Sequence, residues 1–208
     1  MFREVELPKK LLKDQVPSAG GEVVREIRQM AQGMENLSVL HVNSTCYGGG
    51  VAELLYTIVP LMRDAGLDAR WYVMDNIPAE FFEVTKKIHN SLQGAKTPLT
   101  DEEWQLYEDV NMELAKSFPR GPWDVVVIHD PQPLAARTFL ERIPENRKPV
   151  VGRWFWRCHI DLSTPFMDTW ERVAFYVNRF DGVILTSPEY AREEIKAPIT
   201  QITPSIDP

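Results

Sequence analysis

The chain has 208 residues, 44% of them apolar, with 23 basic against 30 acidic side chains and a formal charge of −7. This composition supplies a real core and excludes a disordered chain, and the length suits one large domain or two small ones. The acidic balance, with no basic patch or tail, argues against a nucleic-acid binder, and no stretch approaches the roughly 20 apolar residues that cross a bilayer.

The opening "MFREVELPKKLLKD" is charged and lacks the apolar run of a signal peptide, so it reads as a polar arm carrying Pro8 and Pro17. Val23, Val24, Ile27, Met30 and Met34 recur at helical spacing and predict a short amphipathic helix ending near Gly33. Residues 1–36 are thus expected to pack, as arm and helix, on one domain of residues 37–203. "NLSVLHVNS" predicts a first buried strand, and the turn "TCYGGG" follows it. Val51, Leu54, Leu55, Ile58, Val59 and Met62 then form one apolar helix face. "LDARWYVMD" reads as a strand. The next helix buries Phe81, Phe82, Val84 and Ile88.

Thr100 followed by Asp101, Glu102 and Glu103 predicts a capped helix start, with Trp104, Tyr107, Val110, Leu114 and Phe118 on one stripe. "WDVVVIHD" holds an unalternated apolar run, Val125 to Ile128, which predicts a central strand covered on both faces. A helix over residues 133–141, a strand at "KPVVGRWFW", a helix after Pro165, a strand at "DGVILTS", a short helix from Pro188 and a last strand at "APITQITPS" complete the rhythm. Alternating strands and helices predict an α/β fold, a Rossmann-like three-layer sandwich with a mostly parallel sheet. Cys46 and Cys158 fit no zinc or Cys-x-x-Cys pattern and read as free thiols of a cytoplasmic protein.

Ligands of open parallel sheets bind beyond the carboxyl ends of the strands. Three polar clusters fall there: residues 43–50, 129–132 and 157–161. Gly48, Gly49 and Gly50 put unpaired backbone amides at a helix start, which suits phosphate or another anion. The spacing is neither a dinucleotide fingerprint nor a P-loop, and a turn that only needs unusual dihedrals is the plainer alternative. His129 and Asp130 leave the central strand together and either hold sugar hydroxyls or orient a base, or else serve as packing and a turn cap. His159, behind Arg157, can donate to a sugar oxygen or to growing negative charge. No Gly-x-Ser-x-Gly elbow supports a serine hydrolase, and the histidine spacing matches no metal signature.

"REVEL", "HVNSTCYGGGVAELL", "VIHDPQPL", "WRCHIDLS" and "ITPSIDP", in this order, cover the chain almost end to end. The chain on these blocks resembles the N-terminal half of a retaining GT-B glycosyltransferase of family four, among the trehalose synthases and trehalose phosphorylases. The resemblance implies that glucose is moved from a nucleoside diphosphate glucose to glucose, giving an α,α-1,1 linkage. It implies that Gly48, Gly49 and Gly50 reach the donor phosphates and the acceptor, that His159 lies beside the transferred glucose, and that Asp130, with His129 and Gln132, holds the acceptor. His159 and Asp130 are the implied catalytic pair, and Arg157 holds a sugar or phosphate. No tightly bound cofactor and no resident metal are implied, with magnesium assistance left open. Residues 204–208 resemble the start of an interdomain connector. The donor clamp of the second domain is missing, so the chain alone is expected to be inactive, and its docking face could support a homodimer. A trehalose phosphorylase domain and a non-catalytic Rossmann-like binding module are the alternatives.

Overall fold

The computed structural model describes residues 1–204. The elements in chain order are β1 (Phe2–Glu4), α1 (Val16–Ala19), α2 (Gly21–Ala31), β2 (Ser38–Asn43), α3 (Gly50–Asp64), β3 (Asp68–Met74), α4 (Ala79–Leu92), α5 (Asp101–Lys116), β4 (Pro122–His129), α6 (Ala136–Phe139), β5 (Val150–Cys158), α7 (Met167–Val177), β6 (Gly182–Leu185) and β7 (Ile199–Gln201). Seven strands form one sheet in the order β1-β3-β2-β4-β5-β6-β7. Every pairing is parallel except β1 with β3.

Two hydrophobic layers sandwich this sheet. On one face Val39, Ala69, Trp71 and Val73 pack against Ala52, Leu55 and Val59 of α3. On the other, Leu40, Val42, Val126, Ile128, Trp154 and Trp156 meet α4, α5, α6 and α7. The α/β sandwich predicted from the alternating elements is therefore the observed one. Trp71, Trp156, Trp170 and Tyr107 are fully buried, and each large apolar side chain removed from water contributes roughly 1.5–3 kcal/mol.

Strand order decides where a ligand fits. The connection from β2 through α3 to β3 runs toward one edge, whereas β4, β5, β6 and β7 run toward the other. The reversal opens a crevice between the carboxyl ends of β2 and β4. At their amino ends the same two strands are clasped: Asp124 Oδ2 accepts from the Ser38 amide and hydroxyl, each at 2.8 Å, and the Asp124 amide donates back to Ser38 Oγ at 2.9 Å.

Several elements differ from the sequence expectation. The opening arm contributes an edge strand, β1, held by backbone pairing of Phe2 with Met74 and Glu4 with Tyr72. The helix α2 forms as expected but buries Val24 and Ala31, while Val23, Met30 and Met34 face solvent. It packs on α1 and on the 3-10 turn Leu12–Gln15 before it, and Arg28 reaches Asp64 at the carboxyl end of α3 at 2.9 Å. Phe82 is also exposed. The helix expected over residues 133–141 is only the single turn α6 followed by a 3-10 turn. The last strand is limited to β7, and the part of the expected connector beyond Pro204 lies outside the described residues.

Candidate functional site

A cavity of about 1000 Å³ opens at the reversal point. It is lined from β2 by Asn43, from the following turn by Gly48, Gly49 and Gly50, from β4 by His129, Asp130 and Gln132, and from the β5 exit by His159. The three polar clusters expected at the rim thus converge on one space.

The glycine turn is built to leave backbone bare. Gly48 has φ +76 and so needs glycine. Gly49, the N-cap of α3, is extended at φ −171 and supplies no side-chain cap. A Cβ placed on Gly48, Gly49 or Gly50 would meet no protein atom within 4 Å. At Gly49 and Gly50 neither backbone geometry nor neighbouring atoms demand a glycine, and the space above them belongs to the cavity. The first amides of the 15-residue α3 and the positive end of its dipole lie at this wall. Lys10 also lines the cavity, with its Nζ donating to Thr57 of α3 at 2.9 Å.

Asp130 stitches the exits of β4 and β5 together. Its amide donates to the Arg157 carbonyl at 2.9 Å, its carbonyl accepts from Trp156 Nε1 at 3.0 Å, and its Oδ1 accepts from the His159 amide at 2.8 Å. These bonds hold it at φ +57, a left-handed conformation that costs a non-glycine residue of order 1 kcal/mol or more. Burial pushes its carboxyl up to about 6, opposed by the His159 amide and the Arg157 charge.

Behind the cavity wall three imidazoles form a chain. His41 Nδ1 lies 3.0 Å from His129 Nε2, and His129 Nδ1 lies 3.0 Å from His159 Nε2. His41 and His129 are buried, whereas His159 reaches the cavity. Burial lowers His41 and His159 to about 4, with the Arg157 charge acting in the same direction. His129 falls well below its usual value through burial, with both neighbouring rings and Arg157 adding to the effect. Both ring nitrogens of His129 are therefore engaged within the protein, and its influence on a ligand passes through His159. Arg157 is buried beside Asp130 and is not among the cavity-lining residues.

The loop after β4 is pinned by α5. Tyr107 donates its hydroxyl to the Pro131 carbonyl at 2.7 Å. Fully buried Asn111 donates to the Gln132 carbonyl at 3.1 Å and accepts from the Ala136 amide at 3.0 Å. The side chain of Gln132 is thereby placed in the wall with its Oε1 buried and lacking a donor among the described residues. Such an orphan acceptor is costly unless something donates to it. Among the described residues no group of three or more His, Cys, Asp or Glu side chains is arranged to hold a metal ion, and both cysteines are free. No helix among them is long and apolar enough to cross a membrane.

Residues 41–192 match the family described as trehalose synthase, N-terminal domain. The chain belongs to that family. It is 43% identical over 99% of its length to the trehalose synthase of Pyrococcus horikoshii, covering 48% of that protein. It is 40% identical over its whole length to the trehalose synthase of Rubrobacter xylanophilus, covering 49% of it. A trehalose phosphorylase of Grifola frondosa is 32% identical over 59% of the chain and 17% of the phosphorylase. The chain spans about half the length of the trehalose synthases it matches.

Sequence reasoning passed over several residues of this trehalose synthase-family site. His41 and Asn43 sit two apart in an otherwise apolar strand, which places both on the face toward α3; that alternation was the available signal. Asn43 accepts from Trp71 Nε1 at 2.6 Å and donates to the Thr45 carbonyl at 2.8 Å, fixing the start of the glycine turn. Asn111 and Tyr107 lie on a helical stripe and carry no local mark of the loop they hold.

Proposed function

We propose that the chain forms the acceptor side of a retaining glycosyltransferase that moves glucose from a nucleoside diphosphate glucose to glucose, making trehalose. The observation that carries this reading is the meeting of an uncapped glycine helix start with a sugar-sized polar wall in one cavity. The α3 amides and dipole suit the charge that grows on a departing diphosphate, and the bare Gly49 and Gly50 let it come close. His159 offers a ring nitrogen to a sugar oxygen, and Gln132 lines the wall on which the acceptor sugar would rest. Asp130 contributes by holding the His159 backbone.

Of the two carboxylates that line the cavity, Asp130 is committed to the His159 amide and Glu53 lies in the first turn of α3, and the family resemblance does not assign them the paired roles of a retaining glycosidase. The reading is therefore front-face departure: the bond from the anomeric carbon to the diphosphate oxygen breaks, the acceptor oxygen bonds to the same face, and the acceptor proton passes to the departing phosphate. The protein's share is positioning and charge stabilisation. The family resemblance puts the donor's diphosphate clamp in a second domain, and the chain alone is expected to bind without turnover.

Assay of a full-length polypeptide carrying this chain tests the proposal. Trehalose should form from free glucose and at least one of a panel of nucleoside diphosphate glucoses, with and without a chelator to settle magnesium dependence. Product arising only from trehalose and inorganic phosphate would replace the synthase by the phosphorylase reading. No product from either substrate set would leave a binding module.

A further inference from the structure

Three neutral imidazoles in a row carry three N–H groups and three bare nitrogens. The two contacts between His41, His129 and His159 use two of each. One N–H and one bare nitrogen are left for the two ends of the chain, His41 Nε2 and His159 Nδ1. Only two arrangements satisfy both contacts, because a neutral ring that donates at one nitrogen must accept at the other.

The inner end decides between them. His41 Nε2 is buried and has no partner among the described residues. If the chain donates inward, from His159 toward His41, an N–H is left orphaned there; if it donates outward, only a lone pair is left. Orphaned buried N–H groups are the rarer and more costly of the two. The surroundings keep the rings neutral, since His41 and His129 are buried, His159 is partly so, and all three feel the fixed charge of Arg157. Among the described residues nothing onward of His41 Nε2 accepts a proton entering from the cavity, so the row fixes orientation rather than conducting.

We infer that His41 is a positioning residue that, through His129, locks His159 in the Nδ1–H tautomer and so presents a donor to the cavity. Free histidine in water prefers the opposite tautomer, so the row reverses an intrinsic preference. The ligand atom recognised at this point is an oxygen acceptor, either a sugar hydroxyl oxygen or a phosphate oxygen. That ligand class rests on the glycosyltransferase reading, but the tautomer itself does not.

The test uses the chain labelled with 15N-histidine and two-bond proton–nitrogen correlation spectra at neutral pH, which distinguish protonated from bare ring nitrogens. The expected spectrum has protonated Nδ1 and bare Nε2 at His41, His129 and His159. In H41N the Asn amide sits where Nδ1 was and still donates to His129, so the His159 pattern is retained. In H41L that donor is gone, and the His159 Nδ1 frequency shifts toward the bare-nitrogen range as both tautomers populate. Thermal midpoints of both variants separate this from lost stability, which a purely structural His41 would show without any tautomer change. A parent spectrum with His159 protonated at Nε2 overturns the inference whatever the variants do. A loss of the pattern in H41N, or an unchanged single tautomer in folded H41L, overturns the positioning role. Should H41L fail to fold, the parent and H41N spectra still decide. Failure here leaves the trehalose assay untouched, and failure there leaves the tautomer standing.

Discussion

α3 and α5 are nearly equal in length, 15 and 16 residues, but their amino ends are built in opposite ways. At α5, Thr100 accepts from the Glu103 amide at 3.2 Å and Glu103 returns the bond to the Thr100 amide at 2.9 Å. Acidic side chains fill its first turn, and Lys87 pairs with Glu103. At α3 three glycines stand in that place, with no side-chain cap and no neighbour for a Cβ. The first helix end is completed by its own chain. The second is left for something that enters the cavity. The same division extends outward: the α5 side pins its loop with Tyr107 and Asn111, whereas the cavity side keeps the strained Asp130.

If that contrast is sound, substitutions on the cavity side should change function more than stability, and those around α5 the reverse. The largest functional effect is expected at His159. In an active polypeptide carrying this chain, His159→Ala should lower turnover about a hundredfold or more, as loss of a preorganised donor does, with the urea midpoint little changed. A variant that unfolds instead would erase the distinction.

Acidification is the next largest effect. His41 and His159 take up protons only near pH 4 in the folded chain and near 6.5 when unfolded, and His129 and His89 are lowered too. Stability should therefore fall as pH drops from about 6.5 toward 4. Asp130 works against this, because its folded carboxyl protonates near 6 and its unfolded one near 3.8. The lowered histidines outnumber the one raised carboxyl, so unfolding near pH 5 should take up protons net and stability should fall with pH. Urea titrations at pH 7, 6 and 5 measure it, and a flat profile would mean that the imidazoles are not buried as a row.

Around α5, Asn111→Leu should cost about 2 kcal/mol by leaving the Gln132 carbonyl unpaired, read as a lower urea midpoint. Thr100→Ala should cost about 1 kcal/mol, the usual value of a lost cap. Gly49→Ala sharpens the contrast most, because its effect on stability should be the smallest, within about 0.5 kcal/mol, while nucleotide-sugar binding measured by calorimetry weakens. Unchanged binding would make the turn a purely structural connection.

The sheet was legible because its central strands are unmixed apolar runs, and α5 because its cap signals lie within four residues of sequence. The rim clusters were legible through topology alone, since residues 43–50, 129–132 and 157–161 all follow strands. What stayed hidden has physical causes. β1 is three residues long and is defined by its pairing with β3, not by any pattern of its own. α2 buries Val24 and Ala31 and leaves Val23, Met30 and Met34 exposed, a rotation that periodicity alone does not report. A histidine inside an apolar strand looks like core, so His41 gave no sign of its partner 88 residues away. The left-handed Asp130 depends on bonds from β5 that no local rule reports.

The short strand at the very start of the chain has a practical consequence. Phe2, Arg3 and Glu4 pair along the outer edge of β3, and the Val5 amide and the Met1 carbonyl extend that cover by one backbone bond each, to Trp71 and Asp75. Trimming those residues would leave a flat row of unpaired amides and carbonyls beside Tyr72 and Met74, a template on which other copies can stack. Clipped preparations should accordingly form aggregates and lose solubility sooner than the intact polypeptide.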